Sequence, residues 1–107
     1  MIPQNHELSF KEFQTFIRQH YQKYDAERGV GGTFLWFMEE VGELASALQN
    51  CQSPKHQATE AEKRNLEEEF ADVLGWLSTL ANMNDVDLED AVRRKYLDSK
   101  DLSSHKF

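Results

Sequence analysis

The stretch FLWFMEEVGELASAL, residues 34–48, decides the fold class and raises a chemical question. Its apolar residues recur at three- and four-residue steps, which is typical of the buried side of an α-helix. The same stretch carries Glu39, Glu40 and Glu43. A carboxylate beside a core is costly unless a proton or a cation meets it. The stretch therefore predicts a core helix whose acidic residues require a positively charged partner.

Two capping signals and one run of aromatic residues place the other helices. Ser9 with Glu12, and Thr59 with Glu62, have the S/T-x-x-E form of a capping box at a helix start. Aromatic residues at helical spacing follow the first box. The predicted helices cover about residues 9–25, 33–50 and 60–82, and a short last helix begins at Asp87 with Asp90.

Residues 25–32, DAERGVGG, contain three glycines and are predicted to form the loop before the second helix, which Thr33 caps. No stretch alternates as a strand does, so the predicted fold class is all-α, a four-helix bundle. We expect a single domain over residues 1–107 with its core at about 9–97. The tail, residues 98–107, lacks periodicity and is predicted to be flexible.

Composition excludes several classes of function. The net charge of −7 argues against binding to a nucleic-acid polymer, because that affinity comes mainly from Lys and Arg. No apolar run reaches the roughly 18 residues that a membrane span needs, and the N-terminus lacks the basic and apolar regions of a signal peptide. We therefore expect a cytoplasmic protein without a membrane partner. The single Cys51 fits a reducing compartment and is interpreted as an inert thiol.

The second predicted helix has an acidic and aromatic shoulder beside its apolar stripe. At about 100° per residue the stripe centres near Val41, with Glu40 about 100° and Glu43 about 160° to one side. Trp36 lies between those two positions on the helical wheel. The stripe consists of Phe34, Phe37, Met38, Val41, Leu44, Ala45 and Leu48. Its shoulder therefore presents two carboxylates and an indole together.

The third predicted helix repeats this arrangement. Its stripe centres near Leu77, and Glu69, Asp72 and Trp76 lie about 80°, 140° and 100° to the corresponding side. Its stripe consists of Leu66, Phe70, Val73, Leu74, Leu77, Leu80 and Ala81. If the two helices pack antiparallel through their stripes, the shoulders can reach a common groove, whether one chain or a dimer completes it.

Carboxylates that converge in this way need protons or cations. Two like charges at about 4 Å cost roughly 4 kcal/mol at an effective dielectric constant near 20. Residues at i and i+3 project from adjacent turns of one face, so each pair can supply oxygens to one hard cation. No Cys and no suitable His is present to favour a softer metal, which indicates Mg²⁺, with Mn²⁺ as a substitute. Acidic residues on a solvated helix face are the alternative interpretation.

At these residues the chain resembles the MazG-like nucleotide pyrophosphohydrolases of the all-α nucleoside triphosphate pyrophosphatase superfamily. The family pattern, Glu-Glu-x-x-Glu followed by Glu-Glu-x-x-Asp, is present as EEVGE at 39–43 and EEFAD at 68–72. The stretches RGVGGTFLWFMEEVGELASAL, FADVLGWLSTLAN and VDLEDAVRRKY are similar to those of short, stand-alone members. The resemblance extends over about residues 9–97.

The resemblance implies hydrolysis of a nucleoside triphosphate between its α and β phosphates, which yields a monophosphate and pyrophosphate. By the same resemblance Glu40, Glu43, Glu69 and Asp72 match the magnesium ligands. Glu39 and Glu68 match the first acidic positions, to which we assign a supporting role: orienting a metal-bound water or helping to activate the nucleophile. The family also implies house-cleaning of the nucleotide pool and assembly as a dimer or a dimer of dimers.

Four further residues are candidates for substrate binding. Trp36 and Trp76 stand beside the acidic shoulders, where an indole can stack on a nucleobase, although packing against a neighbouring helix or subunit explains them equally well. Lys95 or Arg28 can offer a cation to the phosphates, with a surface role as the alternative for each. The identity of the nucleotide stays open.

Two other functions compete with this interpretation. A di-iron carboxylate bundle needs Glu-x-x-His on two helices, and none of the four histidines follows a glutamate by three positions. The second competitor is a non-catalytic helical module that binds metal or nucleotide without turnover. Pyrophosphate release from nucleoside triphosphates distinguishes this module from an enzyme.

Overall fold

The computed structural model describes residues 2–98, and the predicted tail lies outside them except at Asp98. The described residues contain three α-helices, α1 (Phe10–Gln52), α2 (Glu60–Met83) and α3 (Leu88–Val92), followed by a π-helical segment, Arg93–Leu97. No strand occurs between residues 2 and 98. The predicted all-α class is therefore confirmed, whereas the predicted count of four α-helices is not found.

The count differs because the predicted loop at residues 25–32 is helical. Only Gly29 departs from helical geometry there, with φ 72° and ψ 172°, and α1 kinks at this residue. A left-handed φ of this size favours glycine, which has no Cβ. Each glycine lowers helix stability by only about 1 kcal/mol relative to alanine, so the run of glycines is compatible with a helix. Helices one and two are thus the two arms of α1.

Three of the four predicted helix starts are confirmed in atomic detail, whereas Thr33, the predicted cap of the second helix, lies inside α1 and starts no separate helix. In both capping boxes the hydroxyl of Ser9 or Thr59 accepts from the backbone N–H of the glutamate three residues later, and that glutamate accepts in return. Asp87 caps α3 by accepting from the Asp90 N–H at 3.0 Å. These caps satisfy orphan N–H groups by local contacts, which is why the sequence alone reveals them.

Helix α2 packs antiparallel to the second arm of α1 and also contacts the first arm. At the kink the guanidinium of Arg28 lies over the ring of Trp76. Near the start of α2 the Cys51 thiol of α1 donates to the Glu62 carbonyl at 3.5 Å. Near the N-terminus the buried Gln14 amide donates to the Asn82 Oδ1 at 2.9 Å. Residues early in α1 therefore contact residues late in α2, and the reverse. This arrangement places the two acidic motifs side by side.

Gln14 also anchors the end of the fold. Its Nε2 donates to the Val86 carbonyl at 2.5 Å, and its Oε1 accepts from the Leu88 N–H at 2.9 Å. The Asn82 Nδ2 in turn donates to the Gln14 carbonyl at 3.1 Å. A buried amide satisfied in this way holds the start of α3 against α1, because leaving any of these groups unpaired costs about 1–3 kcal/mol.

The packing seam differs from the predicted apolar stripe. On the second arm of α1 the buried residues are Thr33 and Ala47, which lie on the same helix face as Glu40. Phe34 and Met38, which belong to the predicted stripe, are instead 50% and 46% exposed. On α2 the stripe residues Phe70, Leu74 and Leu77 are also exposed, at 54%, 37% and 40%. The acidic shoulder of α1 therefore faces α2, and much of both apolar stripes remains uncovered within one chain.

Candidate metal centre and adjoining aromatic cavity

Three carboxylates from two helices converge where the shoulders meet. Glu40 and Glu43 are one turn apart on the second arm of α1, and Glu69 projects from α2. One oxygen of each lies within 4.8 Å of the others. We call these three residues the glutamate cluster. Oxygen atoms at this separation can surround a single hard divalent cation.

The cluster contains two orphaned buried oxygens. The Oε2 atoms of Glu40 and Glu69 are buried and have no hydrogen-bond partner among the described residues. Burial first, and then the neighbouring Glu43 carboxylate, raise the pKa of Glu40 to about 7. Burial and the charges of Glu43 and Asp72 raise the pKa of Glu69 as well. Both features are those of anionic ligands that lack a compensating cation, so the residues fit a bound metal ion.

Asp72, the fourth predicted ligand, lies beside the cluster but outside the set of three. Its charge contributes to raising the pKa of both Glu40 and Glu69, so it is electrostatically near them. Its exposed side chain also lines the cavity described below. Asp72 therefore stands between the cluster and that cavity.

The first acidic residues of each motif do not join the cluster. Glu39 and Glu68 are both exposed. Glu68 lines a surface depression with Glu60 and Arg64, and its charge is the smallest of the contributions that raise the pKa of Glu69. Both carboxylates are thus accessible to water.

The two predicted indoles meet across the helix pair. The rings of Trp36 and Trp76 have centroids 6.2 Å apart and planes inclined by 14°, which is a stacked arrangement. Trp36 is 47% exposed, and the guanidinium carbon of Arg28 lies 4.9 Å from the centroid of the Trp76 ring. Both interpretations of the indoles agree with this geometry, since each ring packs on a neighbouring helix and still presents surface.

An aromatic cavity of about 580 Å³ adjoins the cluster. Its walls come from the first arm of α1 and from α2, and Asp72 and Trp76 connect it to the acidic side. A volume of this size falls within the range of small-molecule sites. The cavity is lined by Phe13, Phe16, Ile17, Tyr21, Tyr24, Asp25, Arg28, Ala71, Asp72, Gly75, Trp76 and Thr79.

A buried ion pair at the cavity wall was not predicted from the sequence. Asp25 is 3% exposed and accepts a short hydrogen bond from the Arg28 Nη2. The Arg28 Nε donates to the Thr33 Oγ1 at 3.4 Å. Burial raises the pKa of Asp25, whereas the charge of Arg28 and the hydroxyl of Thr79 act in the opposite direction. Asp25 and Arg28 have the i,i+3 spacing of a helical ion pair, but the sequence predicts a loop at these positions, so the pair was missed.

Lys95 lies apart from the contacts described above. It is exposed on the π-helical segment, and its Nζ lies 5.5 Å from the centroid of the Tyr96 ring. Its predicted contact with phosphate stays a prediction.

Over residues 2–98 the structure is all-α, with an interhelical carboxylate cluster and a neighbouring cavity of small-molecule size. The family model described as the MazG nucleotide pyrophosphohydrolase domain matches residues 31–97, more than half of the chain. The chain belongs to this family, which confirms the resemblance. No curated protein matches the chain. Within residues 2–98, no helix is both long and apolar enough to span a membrane.

Proposed function

We propose that the protein hydrolyses nucleoside triphosphates to a nucleoside monophosphate and pyrophosphate. One observation carries the proposal: Glu40, Glu43 and Glu69 converge between the two helices of a MazG domain, with two buried oxygens unpaired. Water and one phosphoanhydride bond, that between the α and β phosphates, are consumed. The aromatic cavity beside Asp72 provides space for the rest of the nucleotide.

The glutamate cluster and Asp72 would hold the divalent cation, for which we propose Mg²⁺ with Mn²⁺ as a substitute. When bound, such an ion neutralises phosphate charge and makes a coordinated water more acidic. The oxygen-only donor set suits these hard ions better than zinc or copper. Glu39 and Glu68, both exposed, are proposed to orient the attacking water or to accept its proton.

Substrate contacts are assigned to the indoles and to a cation. Trp36 and Trp76 are proposed to stack on the base, a contact worth roughly 1–3 kcal/mol per base. Lys95 is proposed to approach the phosphates, as the sequence predicts. Arg28, the second predicted phosphate cation, is already held by Asp25, Thr33 and Trp76, and these contacts favour another role.

We propose a homo-oligomer, either a dimer or a dimer of dimers, because both apolar stripes are left largely uncovered in one chain. Monomeric proteins rarely expose apolar patches of more than a few hundred Å². The predicted cytoplasmic location and the house-cleaning of nucleotide pools complete the proposal.

A non-catalytic module that binds metal or nucleotide without turnover is the second candidate. It shares the glutamate cluster and the cavity with the enzyme and differs in lacking hydrolysis. The exposed positions of Glu39 and Glu68 favour this candidate, because neither is held against the cluster as a positioned base would be.

Pyrophosphate release from a panel of canonical and modified nucleoside triphosphates, with and without Mg²⁺, tests the proposal. We expect metal-dependent turnover that is lost in Glu40→Gln and in Asp72→Asn. Glu67→Gln is the matched control, because Glu67 is exposed on the same helix as Asp72. Saturable nucleotide binding without pyrophosphate release would favour the non-catalytic module instead.

A further inference from the structure

Three polar residues connect the two arms of α1 across the kink. Asp25 and Arg28 precede Gly29, and Thr33 follows it. The Arg28 guanidinium donates to the Asp25 carboxylate on one side and, through Nε, to the Thr33 hydroxyl at 3.4 Å on the other. We call Asp25, Arg28 and Thr33 the kink cluster. The backbone is not helical at Gly29, where φ is 72°, so these side-chain contacts bridge the two arms of α1 across the kink.

The kink cluster is buried to a degree that is unusual for charged groups. Asp25 and Thr33 are 3% and 0% exposed, and the Arg28 side chain is 25% exposed. A buried ion pair of this kind contributes little net stability compared with apolar packing, and its best-attested use is to specify a geometry. A structural purpose beyond stability is therefore indicated for Asp25 and Arg28.

The kink cluster also contacts an indole of the candidate site. The Arg28 guanidinium carbon lies 4.9 Å from the centroid of Trp76, and Trp76 is stacked against Trp36 at 6.2 Å. Asp25, Arg28 and Trp76 all line the aromatic cavity. The chain of contacts thus runs from the kink, through the Arg28 guanidinium, to a ring that lines the cavity on its acidic side.

We propose that Asp25 and Arg28 are positioning residues that hold Trp76 in place, and that this sets the shape of the cavity for the substrate's aromatic group. The role of the cavity rests on the proposed function, whereas the positioning of Trp76 does not. Asp25 fixes the orientation of the guanidinium, and the guanidinium fixes the indole by cation–π contact. Arg28 then acts on the substrate only through Trp76.

The contacts of Arg28 favour this role over direct binding of phosphate. Its Nη2 is engaged by a carboxylate that is nearly fully buried, and its Nε is engaged by Thr33. A phosphate would have to compete with Asp25 for the same guanidinium. The planar face of Arg28 is already committed to Trp76.

Lysine distinguishes the two roles because it keeps the charge but loses the planar face and the fork of donors. We would place Arg28→Lys, Arg28→Met and Asp25→Asn in a Trp36→Phe background, where Trp76 is the sole tryptophan. Acrylamide quenching of Trp76 emission, without nucleotide, measures how well the ring is held. Arg94→Met is the matched control, since it removes an exposed arginine whose partner is Asp90, at 3.0 Å.

We expect the quenching constant to rise about twofold in all three kink variants, including Arg28→Lys, and to stay unchanged in Arg94→Met. With the native Trp36 restored, the KM of an accepted triphosphate should rise roughly 3- to 30-fold, with kcat changing less than about twofold. Quenching that stays at the parent value in Arg28→Lys and Arg28→Met would overturn the proposal, as would full recovery of KM by lysine.

Two further measurements keep the test decisive. If a single variant unfolds, the double variant Asp25→Asn/Arg28→Met removes both charges, and the same rise in quenching is expected of it. If the parent protein hydrolyses no triphosphate, the proposed function fails, but the quenching result still decides whether Asp25 and Arg28 hold Trp76.

Discussion

Glu40 of α1 and Glu69 of α2 each bury their Oε2 oxygen without a hydrogen-bond partner among residues 2–98, within one cluster whose oxygens lie 4.8 Å apart or less. The two residues come from different helices, so their repulsion acts directly against the packing of α1 on α2. A cation that binds between them removes this repulsion and connects the helices. Metal binding and stability of the helix pair should therefore be coupled.

We expect Mg²⁺ at millimolar concentration to raise the Tm of the protein by about 3–8 °C, since ligands that bind only the folded state stabilise it. Glu69→Gln should lose most of this shift. Without metal, the same variant should have a higher Tm than the parent, because one of the mutually repelling charges is gone. Thermal unfolding with and without Mg²⁺ at constant ionic strength measures both effects.

Glu67→Gln serves as the control for that experiment, because Glu67 is exposed and contributes no oxygen to the cluster. It should keep the full Mg²⁺ shift. An equal shift in the parent and in Glu69→Gln would show that the ion binds elsewhere.

The raised pKa of Glu40 predicts an inverse dependence of stability on pH in the metal-free protein. The folded value is about 7 and the ordinary value is 4.5, so between these two the folded state binds the extra proton. The free energy of unfolding must then fall as pH rises through this window, by about 1–2 kcal/mol, because the ionised carboxylate is the form that the fold disfavours. Glu69 and Asp25, whose pKa values are also raised, act in the same direction.

Urea unfolding between pH 5 and pH 8, without metal, measures the slope, and the difference between the parent and Glu40→Gln isolates the contribution of Glu40. The lowered pKa values of Glu12, Glu62 and Asp87 act below this window, where protonation of those capping residues destabilises the helices. A parent protein whose stability rises from pH 5 to pH 8 relative to Glu40→Gln would contradict the assignment.

The features that the sequence predicts correctly depend on short spacings. Capping boxes at Ser9 and Thr59 follow from residues three positions apart. Glu40 and Glu69 come together because the acidic shoulder of α1 faces α2, and not through the packed apolar stripes on which the prediction depended. The roles of these carboxylates in catalysis stay predictions, since geometry alone does not show turnover.

The features that the sequence does not reveal depend on which contacts the folded chain makes. The run around Gly29 has the composition of a loop, whereas in the structure the contacts of Arg28 with Asp25 and Thr33 bridge one kinked residue within a helix. The uncovered stripe of Phe34 and Met38 is equally invisible, because periodicity identifies an apolar face without identifying what covers it.

Gly29 offers a test of the kink that is independent of catalysis. A Cβ at this position meets nothing within 4 Å, so Gly29→Ala should be destabilised only by its backbone, since φ 72° with ψ 172° is a conformation that essentially only glycine adopts, by about 1–3 kcal/mol. Gly42 is the matched control: it is helical, its Cβ position is also open, and Gly42→Ala should stabilise the fold by about 1 kcal/mol. Urea unfolding of both variants gives the comparison, and equal stabilisation by both would show that the kink is absent in solution.

The exposed apolar stripes predict self-association through α1 and α2. Met38 and Phe70, 46% and 54% exposed, represent the two stripes, and burying such side chains is worth about 1.5–3 kcal/mol each. We expect light scattering to give twice or four times the chain mass of 12.5 kDa for the parent, and a smaller species for Met38→Glu/Phe70→Glu. Leu8→Glu, which changes an exposed apolar residue ahead of α1, should leave the assembly intact. A parent mass of 12.5 kDa at micromolar concentration would contradict self-association. In that case no second copy covers the stripes, and the charged variants should have the same mass as the parent.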